Sequence, residues 1–224
     1  MEQTYLRSSA LTVAAWVNVI LHLIGMVFAL IGMRPGTPLI ALSERQAYLA
    51  SYPLGWSLGW GIWIVCALTL VVFSMLLAAR LPTRQPLANL AVILCCAGAA
   101  IDISCDAIYI TVLPMIAGWG EANVPLFLTV ERIAGVGGII VANGFYSLAV
   151  LIFALCMRDL GNRFVKELGY LVCCFGMLMV VAGFTGVPRH LELATGPTIL
   201  SFCLWTILVE RAFRSGSKTW AQQQ

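Results

Sequence analysis

Six stretches of this chain are each long and apolar enough to cross a bilayer, and that fixes the kind of fold open to it. A membrane-crossing helix takes ~20 mainly apolar residues at ~1.5 Å of rise each. Residues 11–33, 55–79, 87–113, 126–157, 165–187 and 191–213 all qualify. The expected fold is all-α: a polytopic membrane helix bundle of six transmembrane helices, forming one domain over residues 1–224. With 61% hydrophobic and only 10% charged residues, the chain lies far from a soluble domain, which carries roughly 25% charge. Its 13 Lys+Arg against 10 Asp+Glu are too few to follow a phosphate backbone, so nucleic acid is excluded as a partner. The first partner is the lipid bilayer. The opening run is too long for a signal-peptide core and no small-residue cleavage site follows it, so a signal anchor is expected.

Charge bias supplies an orientation. Arg7, Arg80, Arg84, Arg158, Arg163, Lys166, Arg211, Arg214 and Lys218 gather on one side of the six spans, and only Arg34, Arg45 and Arg189 on the other. Basic loops stay in the cytoplasm, which places both termini there. The longest connection, residues 34–54, then lies outside. It opens with a rigid Arg34-Pro35-Gly36-Thr37-Pro38 turn. Ser43 and Gln46 have capping-box spacing, predicting a short helix to about Ser51.

Polar groups inside the spans carry the functional signal, because an Asp or Arg at a helix centre costs about 2.5–3.5 kcal/mol on insertion scales. The third span holds Asp102 and Asp106, the fourth Glu131 and Arg132, the first Asn18 and His22. Helical rise puts His22, Asp102, Asp106 and Glu131 at ~18–28 Å from the cytoplasmic end, one layer between midplane and outer surface. Asp102 and Asp106 are four residues apart and share a helix face, as do Asn18 and His22. Glu131 and Arg132 are neighbours and diverge by ~100°, so Arg132 is expected to meet an Asp of the third span. Three carboxylates against one guanidinium leave an excess of negative charge. Such an excess is relieved by a proton, a charged histidine or a bound cation. The alternative is that the acids only pin helices together.

Other features frame that layer. Tyr48, Tyr52, Trp56 and Trp60 recur every four residues at its outer mouth, as an interfacial aromatic belt or as an external lid. Pro114 is expected to end or kink the third span above Asp106 and leave the acids reachable from outside. Ala134, Gly138 and Ala142, and Gly25 with Ala29, form small-residue surfaces for close helix packing or a subunit contact. The eight cysteines lie in apolar spans without metal spacing, and read as packing residues. The two histidines, His22 and His190, differ in depth by more than ~10 Å, which disfavours a bis-histidine haem. No cofactor or metal site is assigned.

Leu68, Phe73, Arg80, Leu90, Cys95-Cys96 and Gly98 recur as Leu148, Phe153, Arg158, Leu168, Cys173-Cys174 and Gly176, the pattern of a duplicated hairpin. Gly98, Asp102 and Asp106, each four apart, resemble the second half of the signature of CDP-alcohol phosphotransferases. In that family the acids bind divalent metal and act on a nucleotide-activated lipid precursor. The first half needs two more acids, a Gly and an Arg, where this chain has Arg84, Gln85 and Asn89, with only Ala88 fitting. In architecture, with PLGWSLGWGIWI at 53–64 and AAIDISCDAIYI at 99–110, the chain resembles bacterial six-span integral-membrane families of unknown function. That resemblance implies a bacterial inner membrane and no particular activity.

Three functions follow as expectations. The first is a small transporter or binder, its acids facing outward to take a cation, a proton or a polar lipid head group. The second is an accessory subunit of a larger membrane complex, or a homo-oligomer, with structural ion pairs. The third is a membrane-embedded lipid-modifying enzyme using His22 as base or metal ligand, although no complete nucleophile or metal set is present.

Overall fold

In a computed structural model the backbone is described for residues 2–157 and 163–221, and side chains for 9–81, 83–157 and 163–214. Arg7, Arg158 and Lys218 of the charge count lie outside the described side chains. Among the described residues there is no strand. Six helices are long and apolar enough to cross a membrane: α1 (Ser9–Gly36), α3 (Leu54–Ala78), α4 (Gln85–Ala117), α5 (Glu121–Cys156), α6 (Arg163–Thr185) and α7 (Pro188–Arg214). A short helix, α2 (Leu42–Ala50), stands between the first two. The chain is a multi-pass membrane protein, and its exposed apolar side chains, such as Ile31, Val72, Ile93 and Leu178, form the surface presented to lipid.

Each spanning helix packs on the next along the chain, and α7 packs back on α1, which closes a ring. Short connections between antiparallel neighbours give this order directly. Six crossings leave the two chain ends on one face, here the terminal face; α2 and the 34–54 connection occupy the other, the loop face. Arg34 and Arg189 both reach Glu192 there, at 3.2 and 2.9 Å, tying α1 to α7.

Small residues set the helix spacing. Ala134 and Ala142 are fully buried, and Gly138 lies against Asp102 of α4. Gly25 packs on the Trp63 indole, so α1 approaches α3 closely. Gly98 of α4 and Gly176 of α6 both lie against α5, at Tyr146 and Ser147. The repeated Cys-Cys-x-Gly segments therefore play the same local part on either side of one helix, the first cysteine buried and the second exposed. All eight cysteines are free.

Three helices widen into π turns: Ala29–Met33 in α1, Ile108–Val112 in α4 and Val136–Ala142 in α5. A π turn shifts a backbone bond from i−4 to i−5 and disturbs the ladder. In each, a carbonyl receives a side-chain donor: Gly32 from the Tyr48 hydroxyl, Tyr109 from the Trp56 indole and Gly138 from the Asn143 amide.

Two sequence expectations change at this level. Pro114 does not stop its span, which runs on to Ala117. Its missing N–H would serve Tyr109 in the π register, while the Leu113 N–H goes to Ile108. The Tyr109 carbonyl is thus left without a helical donor, and Trp56 Nε1 takes its place at 2.7 Å. The capping box is not formed either. Helix α2 is present, but it starts at Leu42 after Ala41, with no side-chain cap, and Ser43 is already inside its first turn.

Candidate functional site: an intramembrane carboxylate pair

The polar groups of the spans separate into three clusters. The first is a salt bridge. Arg45 of α2, a loop charge by its place in the sequence, is 5% exposed. It forks onto Glu131 of α5, with Nη2 at 2.9 Å from Oε2 and Nη1 bonded to Oε1. Its guanidinium also lies 5.3 Å from the centre of the Phe127 ring. A bidentate pair of this kind satisfies both ions and is geometrically exacting. It straps α2 onto α5.

The expected pairing of Arg132 with an aspartate is therefore replaced. With Glu131 turned inward to Arg45, the next residue along the helix must turn away. Arg132 is exposed, its guanidinium beside Gly186, and no ion pair joins it to Asp102 or Asp106 among the described residues. The cation of the layer comes from the loop helix, and Glu131 uses it.

The second cluster is what remains uncompensated. Asp102 is half-buried and accepts one hydrogen bond, from the Tyr146 hydroxyl of α5 at 3.2 Å. Asp106, one turn further, is 2% exposed, and its Oδ2 is buried without any hydrogen-bond partner. Around the pair, Gly137 leaves room for the Cys105 sulfur and Gly138 for Asp102 Oδ1; a Cβ at Gly137 would run into that sulfur. Toward the loop face the pair is roofed. Trp60 stacks flat on Tyr109, 4.1 Å between centres and 5° between planes, and Trp56 meets both edge-on. Leu113 and Phe127 are fully buried in the same roof. The acids are thus closed toward the loop face, where the sequence suggested an open mouth; the helix passes through Pro114 and the aromatics fill the space above.

The four-residue aromatic stripe divides accordingly. Trp56 and Trp60 turn inward over Tyr109, Tyr48 reaches the Gly32 carbonyl, and Tyr52 at the break before Pro53 is 56% exposed with φ 49°. Burial alone holds the Tyr48 phenol above its ordinary range, so it stays a donor.

The third cluster holds Asn18 and His22, which do not join the acids. His22 packs against Trp63 and Phe202, and its Nδ1 lies 2.8 Å from the Asn18 carbonyl. A carbonyl can only accept, so Nδ1 donates and Nε2 is the acceptor in the neutral ring. Asn18 is fully buried; its Oδ1 accepts from Thr69 at 3.3 Å, and its Nδ2 has no partner. His190 lies apart at the loop face beside Thr185.

Five further residues shape these clusters and carry signals legible in the sequence. Arg45 shares a face of α2 with Leu42 and Leu49, an arginine set in an apolar stripe. Asn143, Tyr146 and Ser147 form a polar stripe at helical spacing on α5. Glu210 near the terminal end of α7 is 3% exposed and accepts from Thr12 of α1 at 2.7 Å, closing the ring there. Among the described residues no group of three His, Cys, Asp or Glu side chains is placed to hold a metal ion. Comparison with protein-family models, with curated proteins and with solved structures returns no match.

Proposed function

We propose that this protein is a small transporter or binder whose Asp102–Asp106 pair takes up a proton inside the membrane. The observation that carries this reading is Asp106: a carboxylate 2% exposed, one oxygen without a partner, and a second carboxylate one turn away. An ionised carboxylate loses several kcal/mol of hydration in such a place and needs a cation, donors or a proton in return. The guanidinium within reach is committed to Glu131, and the single donor from Tyr146 goes to Asp102. A proton fits the space best. Ca²⁺ or Mg²⁺ would want six or more oxygens, and a lipid head group would need room that the aromatic roof fills. The bias of basic residues orients the loop face outward, and the architectural resemblance suggests a bacterial inner membrane.

Purified protein in liposomes loaded with a pH-sensitive dye tests the reading. A pH step with the membrane potential clamped should drive dye-reported proton flux or stoichiometric uptake, lost in Asp102→Asn and Asp106→Asn and kept in Arg132→Ala. Uptake identical in wild type and both aspartate variants would return the acids to a structural role, as in an accessory subunit. Uptake that appears only with one alkali cation would make that cation the ligand instead.

A further inference from the structure

At the centre of the ring lies a cavity of about 70 Å³ to which every spanning helix contributes lining residues. It begins at Tyr146, whose hydroxyl holds Asp102, and runs past Ser147 toward Phe153 and Trp205, nearer the terminal face. Counting helical rise, Tyr146 is ~15 Å from the terminal end of α5 and Asp102 ~25 Å from that of α4, so the acids sit above the cavity. His22 lines it from α1.

We infer that this cavity holds water and is the path by which the Asp102–Asp106 site exchanges its proton with the terminal face. The inference rests on the proton-binding reading of the acids and adds the side from which they are reached. Two observations carry it. The loop side is sealed by the Trp56–Trp60–Tyr109 roof, and the cavity lies on the other side of the acids, against Tyr146. The cavity is lined mainly by apolar side chains, but it carries polar groups on which water can be held. At ~30 Å³ per molecule it has room for about two waters, and a water needs two to four polar partners. The Ser147 and Thr198 hydroxyls and the Asn143 amide donate to the Asn143, Ala194 and Gly138 carbonyls and offer water their oxygens, and His22 offers Nε2, which no described residue meets with a donor.

The step is a balanced proton exchange. A water in the cavity accepts the Tyr146 hydroxyl proton as that hydroxyl accepts one from Asp102; the reverse sequence reloads the carboxyl. No electrons move. The titratable groups facing the cavity are His22, Cys95 and Tyr146, while α3, α6 and α7 present hydroxyl, indole and apolar groups without charge. The groups facing the acids themselves are Tyr146, Cys105, Tyr109 and, from α3, Cys66, with the Arg45–Glu131 pair beyond.

The test is infrared spectroscopy of the protein in lipid nanodiscs on transfer to D₂O, following the downshift of the protonated carboxyl C=O band. Tyr146→Phe keeps the ring and removes the relay; Val172→Leu touches neither carboxyl and fills part of the cavity. Tyr146→Phe is expected to slow the downshift about tenfold, the scale of one lost hydrogen bond, and Val172→Leu to slow it in the same direction. A wild-type rate in Tyr146→Phe, which should fold as the parent does, would overturn the path, and a wild-type rate in a folded Val172→Leu would do the same. Absence of any protonated-carboxyl band in the wild type would instead remove the reading of the acids on which the path rests.

Discussion

Glu131 and Asp106 are both carboxylates carried into the loop-face half of the bundle, yet the fold treats them in opposite ways. Glu131 is met by an arginine from α2 with both oxygens engaged, and the pair is a brace. Asp106 is the more fully buried of the two, with an oxygen left bare. Folding could have supplied Asp106 with a donor as cheaply as it supplied Gly32, Tyr109 and Gly138, whose carbonyls are each matched by a side chain. The matched charge is architecture; the bare one is the feature on which the proposed proton site rests.

Substitutions should separate the two. The largest loss is expected for Arg45→Ala, which strands Glu131: about 3 kcal/mol, read as a lowered unfolding midpoint in detergent, with most of it recovered in Arg45→Met combined with Glu131→Gln. Gly137→Ala should cost about 1–3 kcal/mol because the new methyl meets the Cys105 sulfur, and Cys105→Ala should relieve it. Trp56→Phe, which leaves the Tyr109 carbonyl unpaired beside Pro114, should cost about 1–2 kcal/mol in the same assay. Asp106→Leu should move the other way. Removing a bare carboxyl from the interior is expected to raise stability by about 1 kcal/mol while proton uptake is abolished. Arg132→Ala should change the midpoint by less than about 0.5 kcal/mol, since that side chain is exposed without an ion-pair partner among the described residues. Equal effects of Arg45→Ala and Arg132→Ala would erase the distinction between the clusters.

The fold was legible in the sequence because hydropathy and length act on whole segments; all six spans appear with ends shifted by a few residues. The acids were legible too, since polar groups in an apolar run declare themselves by cost. Their partners were not. Arg45 lies far from Glu131 along the chain, and only the packing of α2 against the end of α4, Leu113–Ala117, brings them together. The π turns escaped as well, because a one-residue change of register leaves no compositional trace. Pro114 signalled an irregularity, but sequence alone did not show that Trp56 supplies the donor allowing α4 to continue. The closed roof and the central cavity follow from how the spanning helices pack on one another, which no single segment of sequence records.

The most direct measurement is pH-dependent infrared difference spectroscopy of the carboxyl C=O region, comparing wild type with Asp102→Asn, Asp106→Asn and Glu131→Gln. The expected result is a protonated-carboxyl signal that changes with pH, is lost or shifted in either aspartate variant, and persists in Glu131→Gln. A signal unaffected by both aspartate substitutions, or one that vanishes only with Glu131, would contradict it.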